Sequence, residues 1–320
     1  MSKRRRPAKR AKPRRGATRG AKRARSRASK PARERTTRRA KKAAPRAGEM
    51  RRAMATATSA SKPSRERVAA IADTPAAITE AANLRRMLAV LRDRSEPIEV
   101  RLAALQALQA ASFAVVAFAA HRDKYIAALR EIATDPDAEL RQRALGILTR
   151  EHDGFAESKL IEGLQQPARA LVPPEKALQL LSADPHAAAY PVARAIVANP
   201  PSDLAKREAL RLLAADPNAA PLFEDVLRDK TQPADARQVS AAALNAIDPA
   251  KYQSHARAIV LDTAESDEMQ ASSLTALTEF GDRDALAADD ALQQRAVDLT
   301  ASRAQYAPVA ARRFMAKYQR

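Results

Sequence analysis

Residues 176–188 read KALQLLSADPHAA, and residues 208–220 read EALRLLAADPNAA. The offset is 32 residues, and the two align without a gap. A third copy, SAAALNAIDPAKY, fills residues 240–252, so Asp-Pro pairs fall at Asp184, Asp216 and Asp248. Asp203, Asp235 and Asp267 keep the same interval, each at the head of a helical apolar pattern. In the next copy, SSLTALTEFGD (272–282), Gly281-Asp282 replaces Asp-Pro. Upstream, RLAALQAL (101–108) matches RQRALGIL (141–148) at an offset of 40, so the earlier units are longer. A period of this length marks an array of repeated supersecondary units.

One unit shows the physics. Asp203 is placed to cap a helix, its carboxylate accepting free N–H groups of the first turn. Leu204, Arg207, Leu210 and Leu213 follow at helical spacing, and Leu212 widens the apolar stripe. Asp216-Pro217 ends that helix, because proline restrains the residue before it and cannot continue the hydrogen-bond ladder. NAAPLFEDVLRD (218–229) supplies a second helix and KTQPAD (230–235) closes the unit. One such pair cannot bury its apolar stripe alone, whereas stacked neighbours can. The expected fold is therefore all-α, a solenoid of stacked antiparallel helix pairs. Helices are predicted near 76–92, 97–119, 122–134, 137–150, 154–166, 173–183, 186–198, 203–214, 218–229, 233–246, 249–263, 267–280, 289–302 and 306–318, with a break near Ser112.

DPDAELRQRALGIL (135–148) resembles the Asp-Pro-x-x-x-x-Arg-x-x-Ala-Leu signature of HEAT and HEAT-like repeats. The resemblance spans residues 97–282, with a departure at Ala242 and Asn245, where leucines are usual. It implies that the second helix of each pair lines a concave face on which partners bind. On that face the resemblance places Arg101, Arg141, Arg143, Lys206, Arg207 and Arg237, a cationic groove for phosphate or an acidic protein segment. Local pairing is the competing reading. Arg141 lies four residues after Asp137 and Arg207 four after Asp203, a spacing that suits intrahelical ion pairs.

The charge is segregated. Of 320 residues, 57 are basic and 37 acidic, a net +20. Residues 1–52 hold 17 arginines and seven lysines against Glu34 and Glu49, a net +22, which leaves 33 basic and 35 acidic residues elsewhere. Low hydrophobicity and high charge predict a disordered tail over 1–52. AMATATSASKPSRER, from Ala53, reads as a flexible linker over 53–75, and the HEAT-like array is expected over 76–320. Arg4, Arg5, Arg6, Arg10, Arg14, Arg15, Arg19, Arg23, Arg25 and Arg27 are the candidate nucleic-acid contacts, because guanidinium groups bind phosphate bidentately. The tail contains no aromatic side chain, so binding to DNA or RNA is expected to follow charge and not base sequence. In composition the tail is similar to those of linker histones and bacterial histone-like proteins.

Catalytic signals are sparse. Cysteine and tryptophan are absent, which excludes disulfides, thiolate nucleophiles and cysteine zinc sites. His121, His152, His186 and His255 lack a second histidine at three or four residues, and no zincin, Walker or nucleophile-elbow motif occurs. These four are expected at surfaces or helix ends. HEAT-like alkylpurine glycosylases use tryptophans, and HEAT-repeat deoxyhypusine hydroxylases use His-Glu pairs; this chain has neither. The expectation is a non-catalytic scaffold with no catalytic residue, no metal and no cofactor. It would bind protein partners, be tethered to nucleic acid by its tail, and be monomeric. Two alternatives stand beside it: a plain adaptor whose tail is only a localisation signal, and a HEAT-like enzyme of lyase or DNA-repair type. The basic start lacks a following apolar stretch, so secretion is not expected. A nucleoid-associated cytoplasmic place is expected in a bacterium and a nuclear one in a eukaryote. Leu102–Ala120 is 19 uncharged residues, near membrane-spanning length, but Gln106, Gln109 and Ser112 interrupt it. A buried helix pair explains it, and no membrane association is expected.

Overall fold

The computed structural model describes residues 47–183 and 186–318. Among them every regular element is helical. Eight antiparallel pairs follow one another. The first is α1 (Ala47–Ala57) with α2 (Ser64–Ala72). A short α3 (Pro75–Ile78) leads to α4 (Ala81–Arg92) and α5 (Ile98–Ser112). A short α6 (Val115–Phe118) leads to α7 (Arg122–Ile132) and α8 (Ala138–Arg150). Then come α9 (Gly154–Gln165) with α10 (Pro174–Leu181), and α11 (Tyr190–Ala198) with α12 (Asp203–Leu213). α13 (Ala220–Arg228) pairs with α14 (Ala234–Ile247), and α15 (Pro249–Leu261) with α16 (Asp267–Phe280). After α17 (Arg283–Ala287), α18 (Asp290–Thr300) and α19 (Ala307–Tyr318) close the array. The fold is the α-solenoid of stacked helix pairs that the 32-residue period predicts and that the resemblance at 135–148 implies to be HEAT-like. Second helices pack on second helices along one side, as α10 on α12, α12 on α14 and α16 on α19 do.

The core runs continuously through the stack. Leu210, Leu212 and Leu213 of α12 are buried, while Leu204, expected in the same stripe, is exposed. Its place against the neighbours is taken by Ala205 and Ala209, both fully buried. Small side chains at these positions let helix backbones approach closely, which fits the alanine content of the array.

The flexible-linker expectation for 53–75 is corrected, and with it the end of the tail. α1 begins at Ala47 and, with α2, forms the first pair of the array. Met54, Ala57 and Ile71 are buried in the common core, and Met50 and Val68 pack against it. Those residues recur at helical spacing within a Ser/Thr-rich composition, and the stripe decides the structure. The remainder of the tail, including all ten arginines proposed to contact nucleic acid, lies outside the described residues.

The capping expectation shifts by one residue. Ser202 Oγ accepts from the Ala205 N–H at 3.0 Å and caps α12; Ser266 Oγ does the same for α16 through Met269 N–H at 3.3 Å. Asp203 and Asp267 lie just inside, in the first turn, where the helix dipole favours an acid. The Asp-Pro aspartates open the following element. Asp248 accepts from Lys251 N–H at 3.1 Å with Pro249 at the first helical position. Asp216 accepts from Asn218 N–H at 3.0 Å at the head of a 3-10 turn.

The uncharged run at 102–120 breaks as predicted after Ser112, and the helical segments on either side meet at 115°. No single helix among the described residues is long and apolar enough to cross a membrane. Phe118 anchors the bend, edge-on to Tyr125 at 5.6 Å, and burial pushes the Tyr125 phenol up. Phe113, Val115 and Val116 project into solvent at the corner.

Candidate functional site

The six cations assigned to the partner face do not share one surface. Arg101 and Arg237 are 2% and 4% exposed. Each sits four residues after the capping residue of a second helix and is held in the same way. Arg101 Nε donates to the Leu91 carbonyl at 3.0 Å, and its Nη2 donates to Asp135 at 2.5 Å. Arg237 Nε donates to the Leu227 carbonyl at 2.9 Å, and its Nη atoms grip Glu265 at 2.8 and 2.6 Å. Arg67, in the first pair, repeats the pattern with the Ala57 carbonyl at 3.2 Å and Glu96 at 2.5 and 2.6 Å. Each arginine thus ties the end of its own first helix to the loop before the next second helix. These are bonds between units, so the expected binding role for Arg101 and Arg237 is replaced by a structural one.

The remaining four divide. Lys206 Nζ donates to Gln232 at 2.5 Å, and Arg207 donates to Asp235 at 2.9 Å, again bridging to the next unit. Arg141 donates to the main-chain carbonyls of Leu171, Asp135 and Pro136 at 2.5, 2.6 and 3.1 Å. Local pairing therefore holds in kind, but the partners lie across the unit boundary for Lys206 and Arg207. Arg207 does not reach Asp203, and Arg141 does not reach Asp137. Arg143 pairs within its helix, with Glu139 at 2.6 Å, and Arg207 also lies 3.6 Å from Glu208 of its own helix. Arg143 alone among the six lines a recess on the second-helix face. That recess, about 250 Å³, spans α5, α8 and α10 and includes Gln106, Gln142, Arg150 and Lys176.

The ion pairs set the local acidities. At Asp135, burial pushes the carboxyl up, but hydrogen bonds from Arg101 and the Asp137 N–H, with the Arg101 charge, outweigh it and leave the group below the usual carboxylate range. At Glu265 the Arg237 hydrogen bonds dominate over desolvation and hold the carboxyl down.

A second, more apolar pair of recesses lies on the same face toward the C-terminus. One, about 490 Å³, is lined by α16 and α19 with Ala271, Thr275, Tyr306 and Val309. The adjoining one, about 230 Å³, is lined by α14 and α16 with Ala242, Asn245, Ala276 and Phe280. Gln238 and Ser272 border both. Phe280, Tyr306 and Val309 are 63%, 45% and 45% exposed at the two ends of this stretch. Sequence reading weighted cations and passed over it; the signal was the small residues Ala242 of α14 and Ala271 and Ala276 of α16, beside exposed aromatic side chains.

The histidines are scattered. His121 Nε2 lies 3.0 Å from the Thr79 carbonyl, and His255 lies 3.2 Å from Glu224. His186 stands at a helix end, as expected for these histidines, just before the 3-10 turn Ala187–Ala189; it is buried with Nδ1 3.5 Å from Glu157, close to the ring of His152. Among the described residues no three histidine, aspartate or glutamate side chains converge as a metal site.

No family model matches the chain, and no curated protein matches it. Among solved structures it is similar to the complex of CpcE and CpcF of phycocyanin lyase from Nostoc sp. PCC7120, with 21% identity and a TM-score of 0.37, over 77% of this chain and 91% of that one. The non-enzyme expectation is corrected at this point. Neither the helical-repeat build nor the missing sequence motifs exclude catalysis, because activity is set by a site and not by the fold. What is shown is the fold, a HEAT-like array of helix pairs.

Proposed function

We propose that this chain is a partner-binding HEAT-like repeat protein. It docks a segment of another protein along its second-helix face, and its basic N-terminal segment holds nucleic acid through phosphate contacts. The observation that supports docking is the adjoining pair of recesses across α14, α16 and α19. Small side chains floor them, and Phe280, Tyr306 and Val309 stand exposed at their ends, so apolar side chains of a partner would be received there. The nucleic-acid part is supported by charge, 24 cations against two acids over residues 1–52. Docking describes what the array does with its surface, and a reaction on what it holds is compatible with it.

The test uses three full-length proteins: wild type, Ala242→Arg in the apolar recess, and a variant with Arg4, Arg5, Arg6, Arg14 and Arg15 replaced by glutamine. A partner captured from source-cell lysate by wild type and by the five-arginine variant, resistant to nuclease and lost from Ala242→Arg, supports docking. Capture unaffected by Ala242→Arg removes it. Duplex DNA titrated at three salt concentrations tests the tail. Each phosphate neutralised steepens log K against log salt by roughly 0.9, so a tail engaging about eight phosphates has a slope near −7. The five-arginine variant is expected to show a shallower slope. An unchanged slope and affinity would move nucleic-acid binding off the tail.

A further inference from the structure

The bonds between units follow a rule of position. Counting four residues on from the capping residue of the second helices from α2 to α16 gives Arg67, Arg101, Arg141, Ala177, Lys206, Arg237 and Gln270. The acceptor for each cation lies one or two residues before the cap of the next second helix. Glu96 serves Arg67, Asp135 serves Arg101, Gln232 serves Lys206 and Glu265 serves Arg237.

At α16 an amide, Gln270, takes the cation position and donates to the Asp262 carbonyl at 2.7 Å, and in two consecutive earlier units the rule fails outright. Arg141 supplies the cation, but Leu171 and buried Val172 occupy the acceptor positions, and of these two only the Leu171 main-chain carbonyl accepts from it. Arg141 is held by main-chain carbonyls alone, and no described carboxylate lies within ion-pair distance of it. In the next unit both partners are missing: Ala177 stands in the cation position and Pro201 in the acceptor position. The space they would fill is open. A cavity of about 560 Å³ lies between the ends of α9 and α11, lined by Leu164, Leu171, Val172, Ile196 and Pro201, with Arg141 at its margin. No carboxylate lines it. The corresponding space between the ends of α13 and α15, where the Arg237–Glu265 pair is intact, is about 170 Å³.

We infer that this gap in the ion-pair series is a binding site for a small amphiphilic carboxylate, whose carboxylate takes the acceptor position beside Arg141 and whose apolar body fills the cavity. A guanidinium already fixed by three carbonyls is oriented at no further entropic cost, and its charge lacks the counterion that the other units provide. Apart from Arg141 and Asn199 the lining side chains are apolar, and proline residues at 167, 173, 174 and 201 make the walls stiff. The volume falls within the range of roughly 300–1,000 Å³ usual for small-ligand pockets. This site lies among the inter-unit loops and is independent of the proposed partner-docking recesses.

The experiment is calorimetric titration of full-length protein with sodium decanoate, with decanol and acetate as controls. Decanoate is expected to bind roughly tenfold or more tightly than decanol, and acetate not measurably. Val172→Glu supplies the missing carboxylate from the chain itself. It is expected to melt no lower than wild type and to weaken decanoate binding by roughly tenfold or more. Arg141→Gln, which keeps an amide donor for the carbonyls, is expected to abolish the preference for decanoate over decanol. Equal affinity for decanoate and decanol, decanoate binding weaker than about 1 mM, or a folded Val172→Glu protein that binds decanoate like wild type would each overturn the assignment.

Discussion

Replacing Arg237 by methionine leaves the Glu265 carboxylate behind in a site where its side chain is 3% exposed. Wild type satisfies that carboxylate with two guanidinium hydrogen bonds and the Ser266 N–H, and the same arginine caps the Leu227 carbonyl. Removing one partner of a buried pair costs about 3–5 kcal/mol, most of it the desolvated charge left without a counterion. The double replacement Arg237→Met with Glu265→Leu removes both charges, and similar pairs elsewhere lose little or nothing by that exchange. It is therefore expected within about 1–2 kcal/mol of wild type, a coupling of at least about 1–2 kcal/mol between the two positions. Urea unfolding followed by far-ultraviolet circular dichroism at pH 7 measures all four corners of the cycle. The pH dependence gives an independent check. Arg237 holds the Glu265 carboxyl below its usual range, so the pair stabilises the fold above the unfolded carboxyl value and loses that contribution as pH falls through the lower, folded one. In Arg237→Met the guanidinium is gone and only the Ser266 N–H and the Lys230 charge still oppose desolvation, so the carboxyl rises from its wild-type position and protonation relieves the variant first. The difference from wild type is expected to shrink as pH falls below about 5. A single variant within about 1 kcal/mol of wild type at pH 7, or a difference constant down to about pH 4, would refute the structural role assigned to these arginines.

Asp267 accepts three main-chain N–H groups from Gln305, Tyr306 and Ala307, at 2.9, 2.8 and 2.7 Å, and so caps α19 from another helix. Asp267→Ala is expected to cost about 1–2 kcal/mol and to speed tryptic cleavage at Arg312 and Arg313; unchanged cleavage would show that α19 is held by packing alone. A Cβ at Gly281 would lie 2.5 Å from the Leu277 carbonyl oxygen. Gly281→Ala is therefore expected to destabilise the α16–α18 region by about 1–3 kcal/mol in calorimetry, and a neutral result would show that the turn relaxes freely.

The periodic part of the fold was legible in the residues themselves. Helical spacing of Leu210 and Leu213, the Asp-Pro stops and the 32-residue offset are local properties, because a helix is set by contacts within four residues and an array by its repetition. Even the bend after Ser112 could be read, since one helix of that length breaks the repeat register. The first pair could not be read from composition. The Ser/Thr and lysine content of residues 53–62 describes a linker, and only the packing of α1 on α2 and of α2 on α5 gives Met54 and Ile71 a place to be buried. The cations were misread for a related reason. Helical spacing identifies which residues share a face, but Arg101 and Arg237 leave that face, and their partners lie 34 and 28 residues away. A guanidinium on a long side chain chooses between solvent, its own helix and the next unit according to which carbonyls and carboxylates the stacking brings within 3 Å. The sequence determined that there would be stacked helix pairs and where most would start and stop. Tertiary stacking alone decided which charges became mortar between them, and where, beside Arg141, Val172 and Pro201, that mortar is missing.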